Sequence, residues 1–189
     1  MFIFGMLLAV TYFYLLFAGI LISAVHFYLV WHHRDNRKYS LSEHAIIDKN
    51  SQLLYIFSHI VCEIFFLLFS YRFYVVEHNL KIGLYLNISF AIFDFIQAIL
   101  PSRDKTEKIH YVAAYLSWLS YLVAGVLALI KLRVSQPFAT ISYILLIPIL
   151  GMFFYMHIKR TKLYPFQIAI VPLFIIYMFF IVIGSNAAR

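Results

Sequence analysis

The chain has 189 residues, of which 64% are apolar, 20% aromatic and only 12% charged. A soluble globule of that composition has too little polar surface to stay in water, which leaves a multi-spanning membrane protein as the class to read for. The single cysteine, Cys62, excludes an intramolecular disulfide, a CxxC redox pair and a multi-cysteine zinc site, and the +7 net charge lies in short loops between apolar runs, which reads as topology and anionic-lipid contact rather than a nucleic-acid surface.

The first residues, Met1 to Met6, lack the basic region of a cleavable signal peptide, and the apolar run continues to Trp31. Residues 7–31 therefore read as a retained first span. The loop that follows holds Ser40-Leu41-Ser42-Glu43, an S-x-x-E capping box. It predicts a short interfacial helix over 41–47 leading into span two, with a plain helix start as the alternative. Span two, 53–76, carries His59, Cys62 and Glu63 inside its apolar stretch. Arg72 comes nine residues after Glu63, on the opposite side of an α-helix, and is expected to snorkel to the interface with the rings of Tyr71 and Tyr74.

Span three, 82–100, places Asn87, Asp94 and Gln97 at spacings of seven and three, a single polar stripe. Span four, 109–132, opens at His110 and offers a small-residue face of Ala114, Ser117, Ala124 and Ala128 with Tyr121. Spans five and six, 138–158 and 166–184, hold Pro148 and Pro172, which predict kinks. They contain no acidic residue, and their only histidine, His157, lies at a boundary, so the core is expected to be made by spans one to four. The fold class is all-α, a polytopic membrane bundle of six transmembrane helices forming one domain over 1–189. Helices are expected because every backbone polar group in lipid must be satisfied within its own segment, and no period of two signals a barrel.

Lysine and arginine counts set the expected orientation. The first, third and fifth loops hold ten of them (Arg34, Arg37, Lys38, Lys49, Arg103, Lys105, Lys108, Lys159, Arg160, Lys162) against five elsewhere (Arg72, Lys81, Lys131, Arg133, Arg189). The positive-inside rule then puts the odd loops in the cytoplasm and both termini outside. A rise of 1.5 Å per residue puts His59 and Asp94 at the same depth, about 9 Å inside the cytoplasmic end of their antiparallel spans. Glu63 is one turn deeper, His26 falls at a comparable level in span one, and His110 stands at the boundary.

Ionisable groups inside hydrocarbon are rare and functional by default. Three readings stay open. The first is a proton or ion path in a small proton-coupled transporter or channel-like protein, with Glu63 and Asp94 as titrating carboxylates, His59 as relay and Gln97 beside them. The second is an intramembrane metal-dependent enzyme acting on lipid, with a single zinc or iron ion held by a set drawn from His26, His59, Glu63, Asp94 and His110. The third is a non-catalytic assembly or regulatory subunit in which the polar groups bond helix to helix. No catalytic residue is assigned. The expected partners are the bilayer, anionic lipids at the basic loops and further copies of the chain in a homo-oligomer, with no nucleic acid.

Intramembrane metal hydrolases of the ceramidase and adiponectin-receptor type also gather histidines, Asp and Ser near one membrane face. This chain lacks their late HxxxH pattern and has six expected spans rather than seven, so their activity is not transferred. Pro101-Ser102 closing span three, a charged turn and then His110-Tyr111-Val112-Ala113-Ala114 opening span four resembles small multi-pass bacterial membrane families of unknown function. That resemblance covers about two spans and their turn. It implies a six-helix bundle and no particular activity.

Overall fold

The computed structural model describes residues 2–36, 40–100, 106–159 and 164–188, and their side chains except those of 2–8, 36, 157 and 159. Arg37, Lys38, Arg103, Lys105, Arg160, Lys162 and Arg189, which carry much of the orientation argument, lie outside the described residues, as do Pro101 and Ser102 of the family resemblance. The elements in chain order are α1 (Phe2–His32), α2 (Leu41–Ala45), α3 (Lys49–Ser70) continuing into a π-helical turn (Tyr71–Glu77), α4 (Lys81–Ile99), α5 (Glu107–Lys131), α6 (Phe138–Lys159) and α7 (Tyr164–Ala187). A single 3₁₀ turn, Arg34–Asn36, follows α1.

All the helices except α2 are long and apolar enough to cross a membrane, six in number. The protein is an integral, multi-pass six-helix bundle, as expected. Its exposed surface agrees, since Ile20, Phe57, Ile130 and Ile147 present large apolar side chains outward, as lipid-facing residues do.

α2 forms because its capping box closes. The Ser40 hydroxyl accepts from the Glu43 N–H at 3.3 Å, and the Glu43 carboxylate accepts from the Ser40 N–H at 2.9 Å. The helix stops at Ala45, two residues short of the expected range, because Asp48 starts the next one. Asp48 accepts from the Ser51 N–H at 2.9 Å and from its hydroxyl at 2.7 Å. His33 at the foot of α1 reaches the same cap, 3.1 Å from the Asp48 carboxylate and 2.8 Å from the Ser51 hydroxyl.

α3 packs against α1 and α4, α4 lies along α5, and α7 joins α1 to α6. α5 meets α7 through rings, with Trp118 and Tyr121 of α5 against Phe174 of α7. The half of the bundle away from α2 is filled with aromatic rings: Phe69, Phe73, Tyr74 and Tyr177 are all fully buried. Tyr74 donates its hydroxyl to the Ala124 carbonyl at 3.1 Å, and Asn87 donates to the Ser70 hydroxyl at 2.9 Å.

Two expectations are corrected here. Tyr74 is not an interfacial ring beside Arg72. The π-helical turn inserts an extra residue into the α phase after Ser70 and turns Tyr74 into the core, while Tyr71 stays exposed. The core is also not confined to the first four spans. Ile170, Val171, Phe174, Tyr177, Met178, Ile181 and Val182 of α7 are buried in the main core, together with Ile149 and Phe153 of α6. Pro148 and Pro172 both lie inside their helices.

The Tyr74 ring lies against Gly83 on α4, and a Cβ there would collide with that ring. Gly83→Ala should therefore destabilise the protein by about 1–3 kcal/mol, read as a fall in thermal midpoint in detergent. Gly151→Ala, where nothing lies within 4 Å of an added Cβ, should leave the midpoint unchanged or raise it.

The Ser51 amide and hydroxyl, with His33 nearby, hold the Asp48 carboxyl below the ordinary aspartate range. A depressed folded-state pKa means that the cap is intact above the unfolded value and is lost as pH falls through the folded one. Exchange of the Ser51 amide proton should accelerate over that acid window in the native protein. In Asp48→Ala it should already be fast at neutral pH.

Candidate functional site

α3 carries His59 and Glu63 one turn apart, and the antiparallel α4 brings Asp94 and Gln97 to the same level. His59 donates from Nδ1 to the Asp94 Oδ2 at 2.5 Å, with both side chains buried. Gln97, three residues along the same helix face, donates from Nε2 to the other Asp94 oxygen. Asp94 is thereby held at both oxygens. Because the carboxylate can only accept, the neutral His59 carries its proton on Nδ1 and turns the Nε2 lone pair away from Asp94.

That Nε2 has no hydrogen-bond partner, and neither has the Glu63 Oε2. One ligating atom from each of His59, Glu63 and Asp94 lies within 4.8 Å of the others. His26 on α1 stands beside them, its ring centroid 5.7 Å from that of His59 and both its nitrogens buried without a partner. The Tyr55 ring packs on His59 at 4.3 Å and on His26 at 6.0 Å, fixing both orientations from the α2 side.

His110 is placed differently from the rest of the expected set. Its Nδ1 lies 2.8 Å from the Leu100 carbonyl and 3.0 Å from the Gln97 carbonyl, both at the C-terminal end of α4. These carbonyls have no helical partner, and the imidazole N–H caps them. Nε2 is then the acceptor, and the Ser42 hydroxyl of α2 donates to it at 3.0 Å. Both nitrogens are engaged, so the structure groups His59, Glu63 and Asp94, with His26 adjacent, and leaves His110 as the pin between α2 and the α4–α5 turn.

These groups line a cavity of about 200 Å³. One wall is polar, made by His26, His59, Glu63, Asp94 and Gln97 of α1, α3 and α4. The lining from α5, α6 and α7 is mostly apolar, with Trp118, Phe153, Met156, Val171 and Phe174, and also includes Tyr115, Tyr121 and Gln167. α2 lies across the end, where Ser40, Leu41 and Ser42 contribute to the lining. Gln167 of α7 holds α2 down by accepting from the Leu41 N–H at 2.9 Å. Cys62 lines the cavity as well, and its thiol lies 3.4 Å from the Ala18 carbonyl.

Sequence reasoning missed Ser42, Tyr55 and Gln167 as members of the site. The capping box was a signal for Ser42, since it predicted an ordered element at this depth. Gln167 is the one amide side chain in a span that is otherwise apolar on every face, and nothing in its spacing pointed inward. No protein-family model, curated protein or solved structure matches this chain.

The Ser42–His110 bond predicts measurable coupling between α2 and the α4–α5 turn. In a double-mutant cycle with Ser42→Ala and His110→Ala, the thermal stabilities should show a coupling of about 0.6 kcal/mol, up to about 1.7. Strictly additive losses would mean that the two residues act separately.

Proposed function

We propose that the protein is an intramembrane enzyme that takes a lipid-class amphiphile into this cavity, with His59 as the base that accepts a proton from the polar head of the ligand. The observation that carries this reading is the buried Nε2 of His59, held outward by the Asp94 contact and left without a partner on the polar wall. An Asp that fixes the tautomer and steadies the resulting imidazolium is the recurring arrangement for a histidine base. Glu63, with an unpaired oxygen one turn deeper, is the second proton carrier.

The two walls support the ligand class. A headgroup can meet the carboxylates and imidazoles while its first methylenes lie against Trp118, Phe153 and Phe174. A proton-coupled transporter uses the same His59, Glu63 and Asp94 but also needs a route through the other half of the bundle. Phe69, Phe73, Tyr74 and Tyr177 fill that half. The amphiphile reading uses the cavity as it stands.

Cys62 makes the test clean, because it is the only cysteine and it lines the cavity. Labelling of Cys62 by N-ethylmaleimide in detergent should slow when phospholipid is added back. Incubation with a membrane-lipid extract should yield a changed lipid detectable by mass spectrometry. His59→Gln should abolish the change while leaving the protection of Cys62 intact. Equal labelling with and without lipid would remove the binding claim, and unchanged conversion by His59→Gln would remove the base.

We also infer that the α2 end faces the cytoplasm, on the ten-to-five partition of lysine and arginine. A cysteine placed by Arg133→Cys in a Cys62→Ser background should react with a membrane-impermeant reagent from outside intact cells. Protection there, with labelling only after lysis, would reverse the orientation.

A further inference from the structure

Four buried ligating side chains from α1, α3 and α4 meet on the polar wall: His26, His59, Glu63 and Asp94. The charge among them does not balance. Two carboxylates face the cavity, and the described residues lining it include no lysine or arginine. Leaving such charge buried without a counter-charge is costly. A proton on Glu63, with His59 as the imidazolium paired to Asp94, would settle the charge alone. It would leave His59 Nε2 and at least one nitrogen of His26 without a partner.

We propose that these residues form a site for one divalent transition-metal ion, zinc or iron(II), ligated by His59 Nε2, His26 and Glu63, with Asp94 and Gln97 as the supporting shell. A single cation meets the unpaired lone pairs on all three side chains and offsets the carboxylates together. The donor set is imidazole and carboxylate, which suits those ions. The Asp94–His59–Nε2 line has the usual form of a ligating histidine, whose other ring nitrogen donates to a carboxylate.

Glu63 and the His59–Asp94 pair are already close, and His26 stands just outside that group. Donor atoms around tetrahedral zinc stand roughly 3.3 Å apart given bonds of about 2.0–2.1 Å. One ligating atom from each of His59, Glu63 and Asp94 lies within 4.8 Å of the others, which places Glu63 beside the His59–Asp94 pair. Two imidazoles on one zinc bring their ring centroids to roughly 5 Å by the same geometry, and those of His26 and His59 are 5.7 Å apart. The other His–Asp group, His32, His33 and Asp48, differs in kind: His32 is exposed, and His33 and Asp48 bond to each other and to Ser51.

An ion on His59 Nε2 takes the lone pair that the base role would use. It therefore replaces that role and keeps only the amphiphile pocket of the proposed function, and metal content is read without any lipid. Tag-free protein purified in detergent is stripped with a chelator and re-equilibrated with zinc or with anaerobic iron(II). Metal per chain is then counted by inductively coupled plasma mass spectrometry. One ion per chain is expected for the native protein and for His33→Ala. His59→Ala and the isosteric Glu63→Gln should fall below about a tenth of that, and Asp94→Asn should weaken affinity by about 10–100-fold.

Native protein that retains neither metal after re-equilibration overturns the proposal, as does full retention by Glu63→Gln. If His59→Ala does not fold, the native protein and Glu63→Gln decide the matter. Metal bound with no lipid protection of Cys62 would sink the amphiphile reading and keep this one. The reverse result would do the opposite.

Discussion

A buried hydrogen bond between two helices, from His59 Nδ1 to Asp94 Oδ2 at 2.5 Å, organises the polar interior of this bundle. In lipid, neither helix gains from burying apolar side chains against the other, because the acyl chains are equally apolar. Register between α3 and α4 must come from shape and from polar contacts. This bond, with the Asn87–Ser70 bond nearly two turns away along α4, holds the two helices at two levels. Gln97 then closes the remaining oxygen of Asp94, so the carboxylate cannot turn away from His59.

Gln97 also connects the site to the end of the bundle. Its side chain supports Asp94, and its carbonyl is one of the two that His110 caps. His110 in turn holds Ser42, and Gln167 holds the backbone of Leu41. The element across the mouth and the buried carboxylate are therefore joined through one chain of hydrogen bonds. α2 has only five residues and could not persist alone in water. Its capping box and these two tethers stabilise it.

The bundle is unequal along its length. One half is packed with rings whose only polar duties are local, such as Tyr74 on the Ala124 carbonyl. The other half gathers imidazoles and carboxylates around open volume. Packing and polar chemistry are separated by depth, and the π-helical turn at Tyr71–Glu77 belongs to the packed half, where it rotates Tyr74 inward over Gly83. A cavity with one polar wall and one largely apolar wall follows from which helices meet where.

Much of this was legible in the chain. Apolar length determined the six spans, because a fixed hydrocarbon thickness demands a fixed run of helix. Residue count along antiparallel spans put His59 level with Asp94, and spacing of four and three put Glu63 and Gln97 on their faces, since helical rise and turn are constants. The S-x-x-E box determined that a helix begins at Leu41.

Tertiary structure decided the rest. It decided that α6 and α7, uniformly apolar and without a face, close the cavity. Their helices carry no periodic signal to say which side turns inward. It decided that Tyr74 is core, because a π-helical turn breaks the α phase on which the sequence reading relied. It set His110 apart from the His59, Glu63 and Asp94 cluster too, since depth along a helix says where a side chain sits but not which carbonyl or carboxylate will claim its nitrogens.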